Sequence, residues 1–217
     1  MRAKRTVIVL LFGFVFGQAL FLAAQTDLSE SREMRATERQ PPDKVMDAMG
    51  VKPGMVVGEV GAGRGRYTVY LARRVGESGR VLANDIDERA LNYLRERCAR
   101  LGFGQVETIL GKVDDPLFPA GSLDLAVMVW VYHMLDKPDE LLKGLRPAMK
   151  AGATLAILDP HDDEIDEEFG IDRSKPDVKV PLIKERIEKS AKGAGFELVR
   201  VETFLSNDYI FILKVKG

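Results

Sequence analysis

Cysteine, histidine and net charge are all scarce in this chain, and each scarcity excludes something. The one cysteine, Cys98, rules out an intramolecular disulfide and any cysteine-cluster metal site. It falls within a helical pattern and reads as a packed thiol. The two histidines, His133 and His161, show no H-x-x-x-H spacing, so no metal centre is expected. A net charge of -1 provides no basic field, and nucleic acid is not an expected partner. There is no internal repeat and no low-complexity tract. What remains is 217 residues, 46% hydrophobic and 30% charged, enough for one soluble domain with a full core.

The N-terminus is different in kind. Arg2, Lys4 and Arg5 precede an apolar run over 6–24, broken among polar residues only by Gln18. Residues 1–25 thus read as a signal peptide or an uncleaved membrane anchor. Leu22-Ala23-Ala24 lacks a small residue at its first position, and the run approaches the ~20 apolar residues that span a bilayer. The basic residues before the run favour an exported, periplasmic or membrane-anchored domain, although Arg32, Arg35 and Arg39 after it blunt the bias. Residues 26–40 read as a linker, and 41–217 as the folded domain. The oligomeric state is left open.

That domain is arranged around Val56-Val57-Gly58-Glu59-Val60-Gly61-Ala62-Gly63-Arg64-Gly65-Arg66. An apolar strand enters, three alternate glycines follow, and a helical pattern over 66–75 leaves. Glycines let the backbone take positive φ and let a ligand approach the main chain. The following helix N-terminus offers unpaired N–H groups. A dinucleotide fingerprint, G-x-G-x-x-G, needs a third glycine at position 66, where Arg66 stands. A nicotinamide oxidoreductase is disfavoured on that ground.

Strand patterns follow at 80–84, 105–110, 123–131 and 153–158. They alternate with helical patterns at 88–101 and 137–149. A further helix is expected over 181–191, and two late strands over 196–204 and 209–215. Alternation of this kind predicts right-handed βαβ units and a doubly wound parallel sheet closed by an antiparallel hairpin.

The pattern Glu59-x-Gly61-x-Gly63-x-Gly65 resembles motif I of the class I S-adenosylmethionine (SAM)-dependent methyltransferases. The resemblance covers most of 41–216 and implies a Rossmann-like α/β fold, with seven mostly parallel strands and an antiparallel C-terminal strand. It also implies SAM as cofactor. Gly61, Ala62, Gly63 and Gly65 would then lie against the methionine moiety and ribose, with Glu59 beneath them receiving the amino group. Asp85, at a strand end ~20 residues beyond the glycines, is the expected acceptor for the ribose hydroxyls, and Ile86 would face the adenine. In the loop Gly111-Lys112-Val113-Asp114, Lys112 stands where the family commonly has an acid. Asp114 substitutes for it, or backbone at Val113 serves alone. The stretch from Gly121 to His133 looks like motif IV. It is similar to a bacterial group of small predicted methyltransferases with a Tyr-His pair after strand four. Trp130 stands where that group often has an acid or amide, which suggests an aromatic lining.

His133 is the candidate acid–base group, because a histidine titrates near neutrality. His161 is the second candidate. The acidic run 162–168 is a solvated loop or a lid over the substrate. The expected function is SAM-dependent methyl transfer to a small-molecule acceptor that the sequence does not name. The competing reading is a catalytically silent SAM-binding or scaffold protein.

Overall fold

A computed structural model describes residues 33–160 and 179–216. The N-terminal apolar run, His161 and the acidic run 162–168 lie outside the described residues. The chain divides into two units, Met1–Pro41 and Pro42–Gly217. In the first, residues 33–39 are helical, and Thr37 Oγ1 donates to the Glu33 carbonyl at 2.8 Å.

The second unit runs α1 (Pro42–Met49), β1 (Val56–Val60), α2 (Thr68–Val75), β2 (Arg80–Asp85), α3 (Glu88–Leu101) and β3 (Val106–Leu110). It continues through β4 (Leu123–Val129), a 3-10 turn (Tyr132–Met134), α4 (Pro138–Leu145) and β5 (Met149–Pro160). It ends with α5 (Lys179–Gly193), β6 (Phe196–Glu202) and β7 (Asp208–Val215). The seven strands form one sheet in the order β3-β2-β1-β4-β5-β7-β6. β1 to β5 pair in parallel, and β7 enters antiparallel between β5 and β6. The expected fold class is the one observed.

Period-two alternation sends each strand's residues to two cores. Leu125, Val127 and Val129 join Val45, Met46 and Leu71 on the α1–α2 face. Ala126 and Met128 join Leu141, Leu145 and Ile187 on the α4–α5 face. Leu91, Leu94 and Cys98 bury the inner stripe of α3 against Ala62 and Ala83, so Cys98 is a packed thiol.

Several boundaries differ from the sequence reading. α2 starts at Thr68, not at 66, because Gly65 holds φ +86° and residues 64–67 are spent in turns. β4 stops at Val129 because Trp130 turns into the left-handed region at φ +58°. α4 ends at Leu145, since Pro147 lies in a 3-10 turn, Arg146–Ala148. β5 spans 12 residues, and its penultimate residue Asp159 is paired in register with Tyr209.

Candidate active site

The strand order reverses between β1 and β4, and ligands of open α/β sheets bind outside the carboxyl ends at such a point. The exits of β1, β2, β4 and β5 bring the chemistry-bearing side chains there.

The three glycines of the β1–α2 loop have separate roles. All take positive φ: 70° at Gly61, 54° at Gly63 and 86° at Gly65. A Cβ at Gly61 would overlap Val131, and one at Gly65 would overlap Leu94 of α3. Those two let the loop pack on β4's exit and on α3. A Cβ at Gly63 would meet nothing within 4 Å, so its bareness faces open space. Ala62, buried, ties the loop to β2 through an N–H bond to the Asn84 carbonyl at 2.7 Å.

Asp85 is the last residue of β2. Its Oδ2 accepts from the Gly63 backbone N–H at 2.7 Å and its Oδ1 from the Asp87 N–H at 2.9 Å. Each carboxylate oxygen keeps a further lone pair for a ligand hydroxyl. Asp87 caps α3 by accepting from the Arg89 N–H at 2.8 Å. Ile86, next to Asp85 in sequence, and Val113, in the loop after β3, are each 61% exposed. Asp114 is exposed, whereas Asp115 uses Oδ1 to hold the Leu117 N–H at 2.8 Å. Asn84 braces this loop from beneath, donating to the Ile109 and Pro116 carbonyls at 3.2 Å each.

Glu59 is buried at 3% exposure and accepts from Thr68 Oγ1 at 2.5 Å, at the start of α2. Burial pushes its carboxyl up to about 7, against the lowering effects of the Thr68 hydroxyl and the Arg66 charge, while Asp85 adds repulsion. A cation arriving beside Glu59 would restore its charge.

On the β4 side, Trp130 Nε1 donates to Asp208 Oδ1 at 2.7 Å. The Arg66 guanidinium lies 4.7 Å from the Trp130 ring centroid and 4.6 Å from that of Tyr67. Arg66, where a dinucleotide fold needs glycine, thus fills space between two aromatic rings. Tyr132 is a packing residue: its hydroxyl is buried with Ser190 Oγ at 2.7 Å and the Arg186 carbonyl at 3.2 Å. That anchor fixes the turn bearing His133. The His133 Nδ1 lies 2.5 Å from Asp159 Oδ1, at the end of β5. Asp159 was not among the sequence-derived site residues. Its one visible signal is a charge ending the apolar run Ala153-Thr154-Leu155-Ala156-Ile157-Leu158. Burial raises the Asp159 carboxyl, and the ring and backbone of His133 act against that.

The residues fit SAM: a bare glycine facing open space, an acid at the neighbouring strand end, and a buried carboxyl without a full positive partner. Comparison with known proteins agrees. Residues 57–152 match the family described as Methyltransferase domain. The ubiquinone/menaquinone biosynthesis C-methyltransferase UbiE of Escherichia coli is 29% identical over 115 residues. That match covers 52% of this chain and 46% of the relative, so the chain spans about half the length of the curated relatives it matches. The crystal structure of a SAM-dependent methyltransferase from Aquifex aeolicus superposes with a TM-score of 0.71 and 27% identity, covering 85% of this chain and 97% of that one. The match over 57–152, the fold and the glycine loop together support a class I SAM-dependent methyltransferase, a family whose cofactor is S-adenosyl-L-methionine.

Proposed function

We propose that this chain transfers a methyl group from SAM to a small-molecule acceptor. The observation that carries the reading is the Gly63–Asp85 bond beside buried Glu59, at the β1/β4 switch point. SAM, when bound, supplies an electrophilic methyl group on a sulfonium. Gly61, Ala62, Gly63 and Gly65 shape the cradle, and Asp85 accepts from the ribose. Glu59 in its charged form favours the ligand's positive end. Ile86, Val113 and Asp114 line the adenine side, and Trp130 walls the site toward the acceptor. His133 receives the acceptor's proton.

The name of the Escherichia coli relative points to carbon as the methylated atom, so a quinol-type aromatic ring is the first acceptor class to test. Incubating the protein with methyl-tritiated SAM and 1,4-naphthoquinol should transfer label to the ring. Binding of SAM with no transfer to any quinol, phenol, amine or thiol would favour the silent, scaffold reading instead.

The basic-then-apolar N-terminus supports a second proposal, that residues 1–25 export or anchor the domain. A compartment-sensitive reporter fused to the C-terminus reports the side on which the domain lies, and a cytoplasmic, unanchored fusion contradicts it.

A further inference from the structure

Glu59 and Thr68 form a buried pair beside the glycine loop. Glu59 lies on β1 at 3% exposure, and Thr68 opens α2 at 0%. The Thr68 Oγ1 donates to Glu59 Oε2 at 2.5 Å. Among the described residues, that is the one side-chain hydrogen bond Glu59 receives. A carboxylate offers acceptor sites on both oxygens, so Oε1 keeps capacity for a ligand. A Cβ at Gly65 would come within 3.5 Å of the Thr68 Oγ1, so the pair packs against the loop itself.

The Thr68 hydroxyl had other uses open to it. A threonine at the start of a helix can cap the N–H groups there or bond back to the preceding turn. Tyr67, the residue before α2, makes no side-chain cap, and the first turn of α2 carries no acid. The hydroxyl is spent on β1 instead. It ties the Glu59 carboxyl to the N-terminus of α2, where the helix dipole favours negative charge. Burial opposes that charge, Thr68 and Arg66 favour it, and Asp85 at the end of β2 repels it. Tyr67, and Cys98 of α3, feel the Glu59 charge in turn. A hydroxyl donates more strongly to a carboxylate than to a neutral acid, so Thr68 is the better partner of the charged form.

Resting on the methyl-transfer reading, we infer that Thr68 is the positioning residue for the amino end of SAM: its hydroxyl ties Glu59 Oε2, fixes the side chain, and presents Oε1 as a carboxylate to the ligand's ammonium group. The adenosine half rests on Asp85 and the glycine loop and does not depend on Thr68. Where Glu59 is protonated in the free protein, SAM binding is then a proton exchange. The Glu59 O–H bond breaks, its electron pair stays on oxygen, and the proton passes to the buffer. The ammonium group takes its place as counter-charge, and no bond of the ligand changes. Thr68 sets where on the pH scale that exchange occurs.

Carbon-13 NMR of the full-length protein follows the Glu59 carboxyl without any ligand, with Glu59→Gln to assign it, and calorimetry follows SAM on the same samples. Wild-type Glu59 should titrate near 7, and the Thr68 methyl resonance should move with the same midpoint. Thr68→Val keeps the shape and loses the hydroxyl. It should raise the Glu59 midpoint by about one pH unit and weaken SAM about 10-fold at neutral pH. Thr68→Ser should restore both. Methylthioadenosine, which lacks the amino end, should bind wild type and both Thr68 variants alike and release no proton. SAM binding to wild type should release a proton at pH 6, read from heats in buffers of different ionisation enthalpy. That release should fade by pH 8 in wild type and persist there in Thr68→Val. A midpoint unmoved in Thr68→Val, or equal losses of SAM and methylthioadenosine, overturns the inference. So does a wild-type Thr68 methyl that ignores the Glu59 titration, a test that stands even if Thr68→Val does not fold. Absence of SAM binding by a wild type in which Thr68 and Glu59 titrate together sinks the methyl-transfer reading and leaves the pair standing.

Discussion

The backbone N–H of Gly63 donates to Asp85 Oδ2 at 2.7 Å, across two neighbouring strand exits. The bond latches the glycine loop to the end of β2 before any ligand arrives. On the proposed function Asp85 serves twice, in shaping the loop and in offering acceptors to the ribose diol. Asp85→Ala should weaken SAM binding about 10- to 100-fold, the size of one or two charge-assisted hydrogen bonds. Asp85→Asn, which keeps one acceptor oxygen, should fall between. Equilibrium titration with SAM checks both; equal affinity in all three proteins contradicts the assigned role.

The glycines separate stability from binding. In Gly65→Ala the new methyl would enter Leu94, at φ +86°, and should cost about 2–4 kcal/mol. Gly63→Ala meets no neighbour and should cost only about 1–2 kcal/mol for its left-handed φ. SAM affinity should nonetheless drop in Gly63→Ala, because the methyl points into the open cradle. Denaturant unfolding paired with SAM titration tells the two variants apart.

Glu59 links binding to pH. Its carboxyl titrates near 7 in the folded chain, against 4.5 when solvated. Between those values the folded state holds the extra proton, so stability falls as pH rises through that window and the penalty is complete above it. The full penalty is roughly 3 kcal/mol. Glu59→Gln should be more stable than wild type at pH 8, indistinguishable near pH 4.5, and weaker in SAM binding. Wild-type SAM affinity should rise with pH through about 7, as the charged form becomes available to the cationic ligand. Thermal melts and titrations at three pH values measure all of this.

Trp130 is the one tryptophan, and it stands at the β4 exit with Nε1 on the carboxylate of buried Asp208. Its fluorescence should change saturably on addition of SAM, with the same dissociation constant as calorimetry. Trp130→Phe should cost about 1–3 kcal/mol, since it removes a donor from a buried charge.

Much of this was readable from spacing. The glycine spacing, the acid at 85, the α3 helix and a closing hairpin follow from local pattern, and the resemblance to the methyltransferases implied the antiparallel last strand. Local pattern failed where partners are distant. Asp159 meets His133, 26 positions away, because β4 pairs with β5. Trp130 reads as a strand residue by hydrophobicity, yet it leaves the sheet in a left-handed conformation that the ring's contacts with Arg66 and Asp208 hold. Tyr132, half of the Tyr-His pair, is a buried brace. No alternation rule distinguishes a hydroxyl that packs from one that reacts.

Isothermal calorimetry of the full-length protein with SAM at pH 8 tests the central claim most directly. The account predicts one site per chain, micromolar affinity, and a marked loss in Asp85→Ala and Glu59→Gln. No heat with either SAM or S-adenosylhomocysteine, in protein shown to be folded, would contradict it.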